Sequence, residues 1–456
     1  MMSNWQTLKL GDVTKWSSGG TPKKTEASYW NGDIPWISAS SMDGHLYTDS
    51  KLKITEEGLA NGSRLAPKNS ILVLVRGSIL HQKMQVGITT RPVAFNQDVK
   101  CLVADEEYLD PWYLLLWFKA KERELLTIVE STGIGAGKFD TKLLSEYPIK
   151  VPPKEEREKI KKLGKALFDK SINLFQTNQT LEQMAQALFK SWFVDFDPVI
   201  DNALDAGNSI PEELQAKAEQ RKAVIADGNF KSVPDDIRQL FPSEFEESEL
   251  GWVPKGWLAV SIHDLVDSIS DTYKLKDVNE VIFLNTGDIE NGKFLHNNYS
   301  ATDGLPGQAK KSISNGDILY SEIRPKNKRF AFVNFDAQDY VVSTKLMVLR
   351  ARKGVNPILP YFILTQEKTV NELQHVAEHR SGTFPQITFK ELKKVISILP
   401  QEQELLDYFV NHYLTPFFAK ALDSMEQSEQ LGKIRDTLLP KLISGEFSIP
   451  ELKIEV

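Results

Sequence analysis

The chain has 456 residues, a length that suits two or three domains rather than one. It is 41% hydrophobic and 26% charged, which excludes a disordered chain, and its one cysteine, Cys101, excludes a disulfide framework or a multi-cysteine metal site. The net charge of −7 speaks against a uniformly basic nucleic-acid binder, but a total is a poor measure for a modular chain. Residues 1–153 sum to +1, 154–250 to −6, 251–400 to +3 and 401–456 to −5. The acidity therefore lies in two segments, and the other two hold local basic clusters. No apolar run approaches the roughly 20 residues that span a bilayer, the nearest being 112–118. The N-terminal MMSNWQTLKLGD lacks the apolar stretch of a secretion signal. A cytoplasmic protein with no membrane partner is expected.

In chain order, residues 1–153 read as a mixed module. Short β-rich runs such as 71–75 alternate with Gly/Asn/Asp turns, a helical stretch follows near 110–130, and Pro152-Pro153 marks a boundary. Residues 154–197 then read as one long helix. Ile160, Leu163, Leu167, Ser171, Leu174, Asn178, Leu181, Ala185, Leu188 and Trp192 recur at spacings of three and four, a heptad stripe with two polar interruptions. Ser171 and Asn178 would favour one register or orientation. Residues 198–250 read as an acidic structured linker, turn-rich over DPVIDNALDAGNS, helical over EELQAKAEQRKAVIADG and aromatic over FPSEFEESELGWVPKGW. Residues 251–400 form a second mixed module ending at Pro400. Residues 401–456 carry a second long helix, to about 443, with a stripe of Leu405, Phe409, Leu431, Ile434, Leu438 and Leu442, and Pro416 should kink or split it.

The second module repeats the first in order. Trp5-x4-Leu10-x-Asp12-Val13 returns as Trp257-x4-Ile262-x-Asp264-Leu265. PWISASSMDGHL (35–46) parallels IFLNTGDIENGKF (282–294), and NSILVLVRG (69–77) parallels GDILYSEIRP (316–325). DPWYLLLWF (110–118) parallels LPYFILTQE (359–367), STGIGAGKF (131–139) parallels RSGTFPQIT (380–388), and YPIKVPPKEERE (147–158) parallels KVISILPQEQEL (394–405). A lone amphipathic helix this long cannot bury its stripe, but two can bury each other. The expected fold class is α+β: two mixed α/β domains separated by an antiparallel pair of long helices, with an internal pseudo-two-fold repeat.

Catalytic motifs are scarce. GIGAGKF (133–139) imitates a phosphate loop, but Thr132 and Phe139 stand where Gly and Ser or Thr are required. No amino-methyltransferase motif, nucleotide-binding glycine motif or nucleophile elbow is present, and no metal-binding histidine pair on one helix face is expected among the seven histidines. The chain is expected not to be an enzyme, with no catalytic or metal-binding residues.

The tip loops are polar, glycine-containing and locally basic. Arg and Lys suit guanine edges or phosphates, and Gln suits adenine. The candidate DNA-binding residues are Lys23, Lys24, Arg76, Lys83, Arg91 and Lys138 in the first module. In the second they are Lys274, Arg324, Lys326, Lys328, Arg329, Arg380 and Gln386. Lys326, Lys328 and Arg329 look like phosphate clamps rather than base readers. The alternative is a non-enzymatic protein-interaction scaffold with a coiled-coil spacer, for which these loops would be incidental.

Three segments, FKSWFVDFDPV (189–199), FPSEFEESELGWVPKGW (241–257) and RDTLLPKLISGEF (435–447), resemble signature segments of the specificity subunits of type I restriction–modification systems. The resemblance covers essentially the whole chain. It implies a subunit whose two recognition domains each read one half of a bipartite, asymmetric double-stranded DNA target, with the helix pair setting the spacer. It implies partnership with two modification (methyltransferase) subunits and with restriction (translocase/nuclease) subunits. S-adenosylmethionine, ATP and magnesium would belong to those partners, with no cofactor in this chain. It further suggests that Phe189, Trp192, Phe193, Leu438, Leu439 and Leu442 dock the modification subunits, although the same residues could be the core of the helix pair. If exposed, Trp192 and Phe193 would make the isolated chain prone to aggregate.

Overall fold

The computed structural model describes residues 4–42, 44–132, 135–227, 233–380 and 384–449. The chain divides into two compact units, Met1–Gln176 with Ser424–Val456, and Thr177–Asp423.

In the first unit, Gln6–Lys9 pairs antiparallel with Pro148–Val151, closing the module on itself. One sheet runs in the order Thr14–Ser18, Val99–Ala104, Ile71–Leu74, Val86–Thr89, Leu46–Tyr47. A second runs Lys53–Ile54, Trp30–Ile37, Val93–Phe95, Leu65–Ala66. Strand Ile71–Leu74 is buried at all four positions, as a central strand covered on both faces requires. Helix Pro111–Leu126 starts where Asp110 accepts the Trp112 N–H (2.8 Å) and Pro111 fills the first position, which has no helical N–H to lose. Tyr113–Phe118 is buried without interruption, so this helix lies inside the core rather than upon it.

The second unit repeats this plan, with four strands in the first sheet where the first unit has five. Trp257–Ser261 pairs with Ile396–Pro400. One sheet runs Val266–Ile269, Leu346–Ala351, Ile318–Ser321, Phe330–Phe332, and another Ser300–Ala301, Glu280–Leu284, Tyr340–Ser343, Ala309–Ser312. The registers agree as well. Ala94 lies parallel opposite Trp36, and Val341 lies parallel opposite Phe283. The Leu10 N–H donates to Tyr147 O, and the Ile262 N–H to Val395 O. Asn69 and Gly316 both take positive φ at the turn entering the central strand, where Asn and Gly tolerate the left-handed region.

One expected pairing is out of step. The Ile358 N–H donates to Asn356 Oδ1 (3.0 Å), and Pro357 follows Asn356 as Pro111 follows Asp110. Residues 110–118 therefore correspond to 356–364, not 359–367. The apolar run agrees with the cap: in the 356–364 frame Leu116, Trp117 and Phe118 match Phe362, Ile363 and Leu364, whereas in the other frame they would match Thr365, Gln366 and Glu367. In the second unit this helix is divided into Ile358–Thr365 and Glu367–Arg380 by the extended Gln366.

The central helix is continuous over Lys154–Phe193 and ends before 197. Phe196, at φ 58°, breaks it. Every stripe residue from Ile160 to Trp192 is buried or half-buried. In the first unit its Ile160 and Phe168 enter the module core together with Leu439, Leu442 and Ile443 of the C-terminal helix. In the second unit Asn178 Nδ2 donates to Ala421 O (3.3 Å), and Phe189 meets Phe409, so there the helices run antiparallel. Asn178 thus makes the cross-helix contact expected of it, while the Ser171 hydroxyl bonds back to Leu167 O of its own helix.

The C-terminal helix comprises Gln403–Phe409, a π-helical turn Val410–Leu414, and Thr415–Ser444. Pro416 stands in the first turn after the π segment, which absorbs the missing N–H without ending the helix. Ile434, expected on the buried stripe, is 49% exposed, while Leu431 and Leu438 are half-buried, Leu442 is buried as expected and Leu439 is buried beside them.

The segment 198–250 is more ordered than a linker. DPVIDNALDA, expected to be turn-rich, is a helix, Asp197–Ala206, with Pro198 in its first turn. Gln215–Ala226 is helical as expected. Phe245–Ser248 and Gly251–Pro254 form a hairpin. Val199, Ile237 and Phe241 join the core of the second unit.

Candidate nucleic-acid interface

Each unit joins the same two tip loops in the same way. In the first, Arg76–Gly77 pairs antiparallel with Gly137–Lys138, which sets Lys138 between Arg76 and Glu130 on neighbouring strands. The Phe139 N–H donates to Val75 O (2.9 Å), and the buried Phe139 ring fastens the loop to the core. In the second, Ile323 bridges Gln386, and the Ile387 N–H donates to Glu322 O (2.8 Å), with Ile387 fully buried. Arg324, Lys326 and Gln386 thereby come to one tip, as Arg76 and Lys138 do in the first unit. Arg324 and Lys328 hold left-handed backbone on either side of a short 3-10 turn, which turns the loop sharply at its cations.

The candidate cations differ in how far they are already engaged. Lys23, Lys24, Arg76, Lys83, Arg91, Lys138, Lys274, Arg324 and Lys326 are exposed and make no ion pair among the described residues. Lys328 pairs with Glu367 (2.6 Å) and Arg380 with Glu391 (2.8 Å). Arg329 donates to Ile289 O (3.0 Å) and lies 3.7 Å from Glu290. These three stiffen the loop from within, which counts against Lys328 and Arg329 as free phosphate clamps. Lys23, Lys24, Arg91 and Lys274 stand on other loops. Residues 133, 134 and 381–383 of the two glycine-containing loops lie outside the described residues.

Sequence reasoning missed a cleft of about 740 Å³ in the first unit, lined by Trp30, Trp36, Ser38, Asn96, Gln97 and Lys24 among others. Trp30 and Trp36 meet edge to face at 5.4 Å, and the Trp30 indole N–H donates to Lys23 O (3.1 Å). Aromatic faces beside Asn and Gln amides are chemistry suited to nucleobases. Their spread over three distant segments hides the grouping in the sequence.

The six residues with two expected roles are packed inward. Phe189, Trp192 and Phe193 are 4%, 3% and 1% exposed, and Trp192 touches Phe241, Phe409 and Tyr413. Leu439 and Leu442 are buried in the first unit's core, and Leu438 is half-buried against it. Five of the six are thus packed into unit cores, Leu438 is half-buried, and Trp192 and Phe193 are not exposed.

Among the described residues, no group of three or more His, Cys, Asp and Glu side chains could hold a metal ion, and no helix is long and apolar enough to cross a membrane.

The family model for the type I restriction modification DNA specificity domain matches residues 2–183 and 254–430. The specificity subunit of the type I restriction enzyme HindI of Haemophilus influenzae is 39% identical over 197 residues, 42% of this chain and 40% of that protein. The MjaIX specificity subunit of Methanocaldococcus jannaschii is 24% identical over an alignment of 463 positions, 98% of this chain and 95% of that protein. Among solved structures, the S subunit of a type I restriction–modification system from M. genitalium aligns with a TM-score of 0.53 at 12% identity. That alignment covers 99% of this chain and 97% of the other, and it shows a shared fold.

Proposed function

Because the chain belongs to the type I restriction–modification DNA specificity family, we propose that it is the sequence-reading subunit of such a complex and that each unit reads one half of a bipartite, asymmetric target. The observation that carries this reading is the repeated tip. Two units with matching strand registers present the same pair of joined loops, but with different side chains. One scaffold written twice with different tips is what an asymmetric target in two parts requires.

The helices that thread both units would set the spacing between the half-sites. Two modification subunits, and restriction subunits in the nuclease form, would complete the assembly in the cytoplasm. They would supply the S-adenosylmethionine, ATP and magnesium sites, while this chain contributes recognition and no catalytic group. The buried state of Phe189, Trp192 and Phe193 directs the search for the docking face to the exposed surfaces of the helices.

The test is co-expression with a cognate modification subunit, followed by mapping of methylated adenines in the host genome. A single motif of two defined halves around a fixed undefined gap is expected. A stable complex that methylates no defined motif would overturn the reading.

A further inference from the structure

The first unit holds a pocket of about 210 Å³, lined by His45, Lys83, Gln85, Lys119, Glu122 and Arg435 among others, of which Lys83 alone is also a tip-loop candidate. Three cations face two carboxylates, Glu122 and Asp436, and both carboxylates are partly committed. Glu122 Oε1 accepts the Met84 N–H (2.8 Å), and Asp436 Oδ1 accepts from Arg435 Nε (2.8 Å).

The Lys119 side chain is only 9% exposed, and its ion-pair partner Glu122 lies 3.9 Å away, beyond hydrogen-bonding distance. His45 Nδ1 and Gln85 Oε1 are buried without a hydrogen-bond partner. Buried polar groups left unpaired cost stability, so a cluster of them around one cavity points to a missing ligand. Behind the pocket, the buried Phe168 ring meets the His45 ring edge-on at 4.9 Å, with the Arg435 guanidinium 5.7 Å from its centre.

We propose that this pocket binds a phosphate group, gripped by Lys119, Lys83 and Arg435, with water held between the phosphate and the buried edge donating to Gln85 Oε1 and reaching His45 Nδ1. A tetrahedral oxyanion offers acceptors in several directions, which matches ammonium and guanidinium donors arriving from a strand-side loop, a buried helix and the C-terminal helix. Burial and the neighbouring Lys119 and Arg435 charges push His45 down to about 3, and burial pushes Lys119 down to about 8. Burial is the first cause of both shifts, and the neighbouring cations add a smaller part that a bound anion would offset. The phosphate could be a phosphodiester of bound duplex or a free phosphate, and the test separates these sources. Only the duplex source rests on the function proposed above.

Inorganic phosphate is titrated with the full-length chain and followed by ³¹P line broadening. The complex with a modification subunit is then titrated with duplex DNA over a range of salt. Broadening by the unaltered chain, with affinity about tenfold weaker in Lys119→Gln, is expected from the loss of one charge-assisted contact. Lys83→Gln, an exposed change, serves if Lys119→Gln does not fold. A duplex source predicts that either variant lowers the salt slope of DNA binding by about 0.9, whereas a free-phosphate source leaves it unchanged. Absence of broadening together with an unchanged slope would overturn the proposal, and phosphate binding by a chain that reads no DNA motif would leave it standing.

Discussion

The two units share strand order and register but spend their charged residues differently. At the first tip Arg76 and Lys138 are cross-strand neighbours, exposed and free of ion pairs among the described residues. At the second, Lys328, Arg329 and Arg380 are engaged internally, leaving Arg324, Lys326 and Gln386 to face outward. The difference reaches the core. The turn entering the central strand ends at Ser70 in the first unit, where the hydroxyl donates to Pro67 O (2.8 Å). At the matching place in the second stands Asp317, fully buried and bound bidentately by Arg350 (2.7 and 2.8 Å). The backbone plan is thus indifferent to the polarity of the groups it carries, provided each is paired. That indifference allows one fold to hold two recognition surfaces within one chain.

The largest effect expected from breaking the comparison is at Trp192. Its replacement by Ala removes an indole packed among Phe193, Phe241, Phe409 and Tyr413, at a cost of about 3–5 kcal/mol. Hydrogen exchange should show protection lost from the second unit first, whereas equal loss in both would mean that they unfold as one. Next comes Arg350→Met, which strands the buried Asp317. The cost should be about 2–4 kcal/mol, below the figure for a fully buried pair because the guanidinium side is 39% exposed. Ser70→Ala should cost about 1 kcal/mol or less, since a neutral hydrogen bond is lost and no charge is stranded. Urea unfolding of the full chain measures both, and equal costs would refute the distinction.

On DNA the order of the units reverses. Arg76→Gln and Lys138→Gln should each weaken binding by about 1–3 kcal/mol if the residue meets a base, or lower the salt slope by about 0.9 if it meets a phosphate. Lys328→Gln should do neither, because its charge is already matched by Glu367. A separate effect is a pH dependence arising in the first unit. His45 is held well below its ordinary value by burial and by neighbouring cations. Between about pH 6.5 and pH 3 the unfolded chain therefore binds a proton that the folded chain does not, and stability falls on acidification through that window. His45→Gln should flatten this part of the profile, and an unaltered profile would show that the burial of His45 carries no such cost.

Much of this architecture was legible in the sequence. The tryptophan-led opening, the paired proline boundaries and the ordered repeat located both modules, and the three-four spacing located the central helix. What escaped detection depends on three-dimensional phase. Ile434 satisfied the stripe in sequence, yet it is exposed between the half-buried Leu431 and Leu438. Residues 198–206 looked like a turn because Asp, Asn and Pro dominate, yet Pro198 in a first turn favours the helix that forms. At the tips, sequence identified the cations but not their partners. Glu367 and Glu391 lie 39 and 11 residues from the groups they neutralise. The tryptophan cleft and the phosphate pocket each draw on segments far apart in the chain, and no local pattern announces them.

The central claim is that each unit reads its own half-site. The most direct measurement is to map methylated adenines for the complex carrying Arg76→Gln and Lys138→Gln, beside the unaltered complex. One half of the motif should relax while the other half and the gap stay the same. Relaxation of both halves, or of neither, would contradict the assignment of one half-site to each unit.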